Sequence, residues 1–380
     1  MMSRPLSTGR LRSRRAVTVT AWLALLSLPL LSIQACAETE STSVPRTDNG
    51  VIIPTNDAGA EASPSDDAAA EAAAPVPCAV GNLCTVPTPL TIGSIAALSG
   101  RSKDDVWASG SSGLLLRWDG KQWASLEADS RETLTSIFLT PDEMWGVSGS
   151  LVVRRGVDAS TIRTTRWNYY GLYRYLTGIA VLANGDPYLL VAAPWDPGTA
   201  PDSLVKLVDF DAGQTESMEP PVISGTELTQ DLSPRALFLV PNRALWIVGD
   251  RGQVARYPVA TPEAGVVLPV DSQANLLAAW GYDDHLWAAG SNGAILHYDG
   301  ATWHTESSGT NVTLRAIFGF SSNDIWAAGD EGTVLHFDGK SWSRISVGTY
   351  DGALRAIWGS APDDVWIGGA QAMFHWGALR

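Results

Sequence analysis

Histidines recur at a regular spacing in the last third of the chain, at His297, His336 and His375. An imidazole can act as a general base or as a metal ligand, so these residues could do chemistry. The corresponding places further upstream hold arginine instead, at Arg117, Arg154 and Arg256. A guanidinium stays charged and has no lone pair to offer a metal or a proton. The exchange of histidine with arginine therefore predicts a polar environment that the structure repeats, and not a metal centre or a catalytic pair.

Acidic residues form a second recurring set between apolar runs, at Asp104-Asp105, Asp283-Asp284, Asn323-Asp324 and Asp363-Asp364. Asp and Asn suit turns because their side chains bond to the nearby backbone. Turns on one face of a ring could hold Ca²⁺, but the sequence has no D-x-D-x-D-G loop with calcium-ligand spacing. It also lacks G-x-S-x-G, H-E-x-x-H and a glycine-rich phosphate loop. We therefore predict no catalytic residue, no metal site and no cofactor.

A repeat of short strands positions these polar residues. The stretch from Leu314 to Trp342 contains three short apolar runs divided by Gly, Asp and Asn, and a fourth run begins at Trp342. Runs of this length between turn residues predict strands. A period of about 40 residues with four strands each is typical of propeller blades. The sequence thus predicts an all-β, seven-bladed β-propeller with four antiparallel strands per blade. Seven second-strand residues mark the units: Trp107, Trp145, Tyr188, Trp246, Trp287, Trp326 and Trp366. The six tryptophans among them are expected in the core between blades.

Three of these units also share an Asp-Gly pair with a tryptophan three residues later. The pairs are Asp119-Gly120 with Trp123, Asp299-Gly300 with Trp303, and Asp338-Gly339 with Trp342. The pattern resembles a shortened Asp box, and the repeats are similar to those of bacterial secreted β-propeller proteins with BNR-like repeats. Sialidases with this kind of propeller clamp a carboxylate with three arginines, and the candidates here share one inner-strand position: Arg235, Arg315 and Arg355. No tyrosine–glutamate nucleophile pair can be assigned, so a glycan-active propeller is the alternative to a binding module.

The seventh unit lacks a fourth strand after the run from Met373 to Trp376. Leu83 precedes the first-strand residue Ile95 by the same 12 positions that separate the fourth-strand Trp342 from Leu354. We therefore expect residues 83–87, from the N-terminal side, to supply the missing strand. Such a strand closes the ring and removes free sheet edges.

Residues 1–36 have the composition of an export signal. Five arginines and no acid precede the apolar segment from Ala16 to Leu31, which is too short for a membrane span. The following Ile33-Gln34-Ala35-Cys36 resembles a bacterial lipobox, with Cys36 as the lipidated residue. Cleavage by ordinary signal peptidase after Ala37 is the alternative. Residues 37–77 are acidic and rich in Ala, Pro and Ser, which predicts a disordered linker before a propeller domain at 78–380.

The three cysteines fit this arrangement. An exported chain with three cysteines leaves one without a partner. If Cys36 carries lipid, Cys78 and Cys84 can form a disulfide in an oxidising compartment. Metal binding by these two is less favoured, because no histidine lies nearby.

One segment departs from the repeat and predicts a binding site. Aromatic residues and an arginine crowd the end of the second unit and its link to the third, at Trp167, Tyr169, Tyr170, Tyr173, Arg174 and Tyr175, and an enlarged loop of the third unit contains Trp195. In an up-and-down blade these connections emerge on one face. Exposed Tyr, Trp and Arg on loops favour recognition of a protein or glycan. The alternative is that they cover a poorly packed blade.

The net charge of −14 argues against a nucleic-acid partner. Together these features predict an exported, lipid-anchored monomer that acts as a binding or scaffold module at the bacterial cell envelope. The predicted location is the outer membrane or cell surface, with a periplasmic or secreted protein as the alternative. Other functions in keeping with the sequence are glycan binding or hydrolysis, and a role in envelope assembly.

Overall fold

The regular structure of the described part of the chain is β-strand, apart from four short 3-10 segments. The structure, a computed structural model, describes residues 81–89, 93–128, 130–156, 162–166, 175–192, 203–207 and 233–378. These residues form 27 strands in seven antiparallel sheets, and all of them belong to one compact unit. Within these ranges no helix is long and apolar enough to cross a membrane.

We number the sheets as blades, in chain order. Blade 1 contains β2 (Ile95–Ser102), β3 (Asp105–Gly110), β4 (Leu115–Trp118) and β5 (Trp123–Leu126). Blade 2 contains β6 (Ser136–Leu139), β7 (Glu143–Ser148), β8 (Leu151–Gly156) and β9 (Ile162–Arg166). The described strands of blade 3 are β10 (Tyr175–Val181), β11 (Pro187–Ala192) and β12 (Ser203–Lys206). Blade 4 contains β13 (Pro234–Val240), β14 (Ala244–Gly249), β15 (Val254–Pro258) and β16 (Val266–Leu268). Blade 5 contains β17 (Leu276–Tyr282), β18 (His285–Gly290), β19 (Ile295–Tyr298) and β20 (Trp303–Glu306). Blade 6 contains β21 (Leu314–Ser321), β22 (Asp324–Gly329), β23 (Val334–Phe337) and β24 (Trp342–Ile345). Blade 7 contains β25 (Leu354–Ala361), β26 (Asp364–Gly369), β27 (Ala372–Trp376) and β1 (Leu83–Thr85).

The blades form a closed ring with their first strands innermost. Each first strand contacts the first strand of the next blade, and β25 of blade 7 contacts β2 of blade 1. This is the seven-bladed propeller that the repeat predicts. Its two faces differ. The turn face carries the turns between first and second strands and between third and fourth strands, such as 322–323 and 338–341. The loop face carries the loops between second and third strands and the blade connections, such as 330–333 and 346–353.

The seventh sheet takes its fourth strand from the N-terminal side of the propeller. Strand β1 pairs antiparallel with β27, with Leu83 opposite Trp376 and Thr85 opposite Phe374. The Val86 amide then donates to the Met373 carbonyl at 2.8 Å. Cys84 lies within β1, whereas Cys78 lies outside the described residues. The disulfide between them therefore stays a prediction.

The repeated aromatic residue of the second strand forms the core between blades, as predicted for the six tryptophans, and Tyr188 of blade 3 does the same. Six tryptophans and one tyrosine at this position are all at most 4 % exposed. Each packs against the following blade. Trp326 of blade 6, for example, packs with Leu354 and Val365 of blade 7. Replacing one of these tryptophans by alanine should destabilise the protein by about 3–5 kcal/mol, because both buried contact and volume are lost.

The Asp-Gly turns between third and fourth strands are built as the sequence indicates. Asp338 Oδ1 accepts hydrogen bonds from the amides of Lys340 and Ser341, both at 2.9 Å. Gly339 has a φ of +89°, which an L side chain rarely adopts. The amide bonds, chiefly that from Ser341, stabilise the ionised form and lower the pKa of Asp338. The same turn is formed at Asp119 and Asp299.

Candidate binding face and inter-blade sites

Tyr175 is the member of the predicted binding site that the structure describes. It begins β10, the first strand of blade 3, and therefore lies on the loop face. Its side chain is 46 % exposed, which makes it one of three exposed large hydrophobic residues in the described ranges. The other predicted members lie outside the described residues, so their convergence stays a prediction: Trp167, Tyr169, Tyr170, Tyr173, Arg174 and Trp195.

Two of the three inner-strand arginines are held by acids of their own blades. Arg235 donates through Nε and Nη2 to the two carboxylate oxygens of Asp250, at 2.8 and 2.7 Å. Arg315 makes the same contacts with Asp330, at 2.5 and 2.7 Å, and this bonding raises the pKa of Arg315. Forked pairs of this kind are directional and strong. The two guanidiniums therefore bind within their blades and do not form a three-arginine carboxylate clamp.

Blade 7 keeps the arginine but lacks the acid. Ala370 follows the second strand at the place that Asp250 and Asp330 occupy in blades 4 and 6. Arg355 is exposed, and no ion pair joins it to any other residue in the described ranges. Tyr350 donates its hydroxyl to the Ala370 carbonyl at 2.7 Å, and burial raises the pKa of that tyrosine. Blade 7 thus presents an unpaired cation on the loop face.

The recurring histidines and arginines of the third strand lie over the core tryptophans. The Arg117 guanidinium lies 5.3 Å from the ring centre of Trp107, and the His297 ring stacks on Trp287 at 3.9 Å. Such contacts favour a cation or a flat polar ring over the indole face. The predicted repeated polar environment is confirmed, because each member faces a core tryptophan across the strand pair: Arg117, Arg154, Arg256, His297, His336 and His375.

An acid two residues before the tryptophan completes this arrangement. In blade 1, Asp105 Oδ1 accepts hydrogen bonds from both Trp107 Nε1 at 3.0 Å and Arg117 Nε at 2.8 Å. Burial opposes ionisation of Asp105, but hydrogen bonds from Arg101 and Arg117 outweigh it and lower the pKa of that carboxyl. The other blades with an acid at this place have Glu143, Asp186, Asp324 and Asp364. We call the inter-blade niche the set formed by this acid, the core tryptophan or tyrosine, and the basic residue opposite it on the third strand.

The observed position of the acid pairs differs from the expectation in one respect. Both members were expected in turns, but the second member of three pairs begins the second strand and points into the niche: Asp105, Asp324 and Asp364. Residues i and i+2 of a strand lie on the same side, so an acid two positions before tryptophan must share its environment. That D-x-W spacing was the sequence signal for the niche.

A cleft of about 210 Å³ opens on the turn face between blades 7 and 1. It is lined in part by Ser360, Asp364 and His375. Asp364 separates the other two, since its Oδ2 accepts Ser360 Oγ at 2.5 Å and its Oδ1 contacts His375 Nε2 at 2.7 Å. A serine nucleophile needs its hydroxyl bonded to the base, so this order is not a nucleophilic relay. In the described ranges no group of three or more His, Cys, Asp or Glu could hold a metal ion.

Comparison with known proteins supports the fold and leaves the activity open. No family model and no curated protein matches the chain. YCF48 from Cyanidioschyzon merolae has a TM-score of 0.62 and 13 % identity, over 78 % of this chain and 99 % of its own. YCF48 bound to a D1 peptide has a TM-score of 0.62 and 16 % identity, over 79 % and 98 %. A streptogramin B lyase has a TM-score of 0.60 and 12 % identity, over 78 % and 97 %. Identities this low show a shared propeller fold, which hosts both binding proteins and an enzyme.

Proposed function

We propose that this chain is an exported, lipid-anchored binding protein of the bacterial cell envelope, and that its loop face holds a peptide segment of a partner protein. The observation that carries the proposal is the unpaired guanidinium of Arg355. The blades with the same arginine at 235 and 315 neutralise it with their own acid, whereas blade 7 does not. An arginine left available in an otherwise paired set is suited to a carboxylate of a ligand.

Aromatic side chains on the same face add contact area. Tyr175 is exposed there, and tyrosine gives a large contact surface for little loss of side-chain entropy. The cluster at 167–174 and Trp195 lies outside the described residues, and its place on the loop face stays a prediction. A peptide with an acidic group and apolar side chains fits both kinds of contact.

The fold neighbours favour peptide binding over the other functions. A protein of this fold has been solved with a peptide bound. A lyase shares the fold as well, so the choice rests on the exposed Arg355 and Tyr175 of the loop face. We therefore propose a binding protein and not an enzyme. Export rests on the signal-like segment 1–36 with Cys36, and on the predicted Cys78–Cys84 disulfide at the ring-closing strand.

Peptide and glycan arrays provide the test. The wild-type protein should bind synthetic peptides that carry a carboxylate, and Arg355→Ala should lose that binding. Lys103→Ala is the matched control, because it removes the same charge from an exposed side chain on the turn face. Equal peptide binding by Arg355→Ala and wild type would disprove the role of Arg355. Binding to glycans and not to peptides would replace the proposal with the glycan-binding alternative.

A further inference from the structure

Blade 4 lacks the acid of the inter-blade niche. Ala244 stands at the place where five blades have an acid and blade 5 has His285. Ala244 is fully buried, so solvent does not reach this point. Blade 5 compensates from its fourth strand, where Glu306 accepts Trp287 Nε1 at 3.1 Å. Blade 4 has Leu268 at the corresponding place of its fourth strand and cannot do the same.

Two buried donors of blade 4 have no acceptor in the described ranges, whereas in blade 7, which has Asp364, the tryptophan donor alone is without one. Trp246 Nε1 and Arg256 Nε are both inaccessible to solvent and have no hydrogen-bond partner among the residues that the structure describes. Their equivalents in blade 1, Trp107 Nε1 and Arg117 Nε, share the single oxygen Oδ1 of Asp105. Arg256 lies over Trp246, with its guanidinium carbon 5.6 Å from the ring centre. The donors of the niche are therefore conserved between the two blades, and only the acceptor is missing.

The charged groups bonded to Arg256, or next to it, come from turns between first and second strands on the turn face. Arg256 Nη2 donates to Asp284 Oδ1 at 2.7 Å, and Arg243 contacts Asp283 and Asp284 at 3.0 and 3.4 Å. These two acids belong to a turn of blade 5 and are at least half exposed. Among the described residues, no acid accepts a hydrogen bond from Arg256 Nε.

We propose that blade 4 binds a small monovalent anion, such as chloride, between Trp246 Nε1 and Arg256 Nε. One oxygen atom serves both donors in blade 1, so a single-atom acceptor fits the position of the missing carboxylate oxygen. Both unpaired groups are donors, and an anion requires nothing else. A water molecule would also need acceptors for its own two hydrogens. The anion accepts a hydrogen bond from Arg256 Nε, as Asp105 and Glu143 do from the Nε atoms of Arg117 and Arg154 in blades 1 and 2, while Asp284 pairs with Arg256 Nη2.

Bromide locates the site directly. Crystals of the full-length protein grown in sodium bromide should show an anomalous peak within hydrogen-bonding distance of both nitrogens. In solution, the melting temperature should be higher in chloride than in gluconate at equal ionic strength. The expected increase is about 2 °C for each tenfold rise in chloride above its dissociation constant. An ordered water at this position, with no bromide peak, would overturn the proposal.

Two variants separate the site from a general salt effect. Ala244→Asp brings its own carboxylate to the two donors, and should lose both the bromide peak and the chloride response. Trp246→Phe removes one donor while it keeps the ring, so it tests the same point if the aspartate variant does not fold. Trp107→Phe is the matched control, because its donor in blade 1 already meets Asp105, and its chloride response should equal that of wild type. A chloride response that persists in both blade 4 variants would show that the halide acts elsewhere.

Discussion

Glu306 connects blades 5 and 6, and its removal should destabilise the ring. Its Oε1 accepts Trp287 Nε1 at 3.1 Å, and its Oε2 accepts Trp342 Nε1 of blade 6 at 2.7 Å. His297 Nδ1 lies 3.5 Å from Oε1. The substitution Glu306→Ala deletes both acceptors and leaves the two indoles in place.

The expected loss follows from the surroundings of the two indoles. A hydrogen bond to a charged group contributes about 1.5–3 kcal/mol. Trp287 is 1 % exposed, so water cannot replace its lost acceptor. Trp342 is only partly buried and can bond to water instead. We therefore expect Glu306→Ala to lower the free energy of unfolding by about 3 kcal/mol, and Glu306→Gln, which retains one oxygen acceptor, by about half as much.

Equilibrium unfolding in urea, followed by tryptophan fluorescence and circular dichroism, measures this difference. Glu127→Ala is the matched control. Its replacement changes the charge by the same amount. Because Glu127 is exposed just after β5, we expect the free energy of unfolding to change by no more than about 0.5 kcal/mol. If Glu306→Ala unfolds as Glu127→Ala does, Glu306 does not hold the two blades together.

Three further predictions concern pH, ring closure and the anchor. Burial lowers the pKa of His297, so the unfolded chain takes up the proton more readily, and the free energy of unfolding should fall as the pH drops below about 6.5. The substitution His297→Gln should reduce this pH dependence in urea titrations. An unchanged pH dependence would assign it to other groups. A chain that begins at Thr91 lacks β1 and should lose several kcal/mol of stability; a melting temperature equal to that of the full chain would contradict the closing role of this strand. Cys36→Ala should move the protein from membranes to the soluble fraction, and unaltered detergent partitioning would refute lipidation.

The fold was predictable because the propeller repeats its physical constraints. A buried tryptophan or tyrosine in the second strand of each blade, together with short apolar runs and turn residues, recurs with one period, and each copy supports the interpretation of the others. The position of β1 was also predictable, from the spacing between Trp342 and Leu354. The exchange of His336 with Arg117 indicated a common environment, and the structure places both over tryptophan.

The exceptions to the repeat were harder to predict, because they depend on contacts between strands. Nothing in the local sequence shows that Glu306, on a fourth strand, replaces the acid that His285 displaces. The missing acid at Ala244 is visible in the sequence, but its consequence requires the positions of Trp246 and Arg256. The predicted aromatic binding cluster belongs to the least regular part of the repeat, and the structure describes only Tyr175 of it.

Strand β1 also fixes the side from which the chain enters the ring. Leu83 pairs with Trp376, the last residue of β27, and β27 runs from the loop face to the turn face. The segment that precedes Leu83 therefore joins the propeller at the turn face, on the side opposite to Tyr175 and Arg355. A tether at that point would orient the loop face away from the surface to which the protein is fixed. A longer or shorter tether would then change the height of the loop face above that surface without covering it.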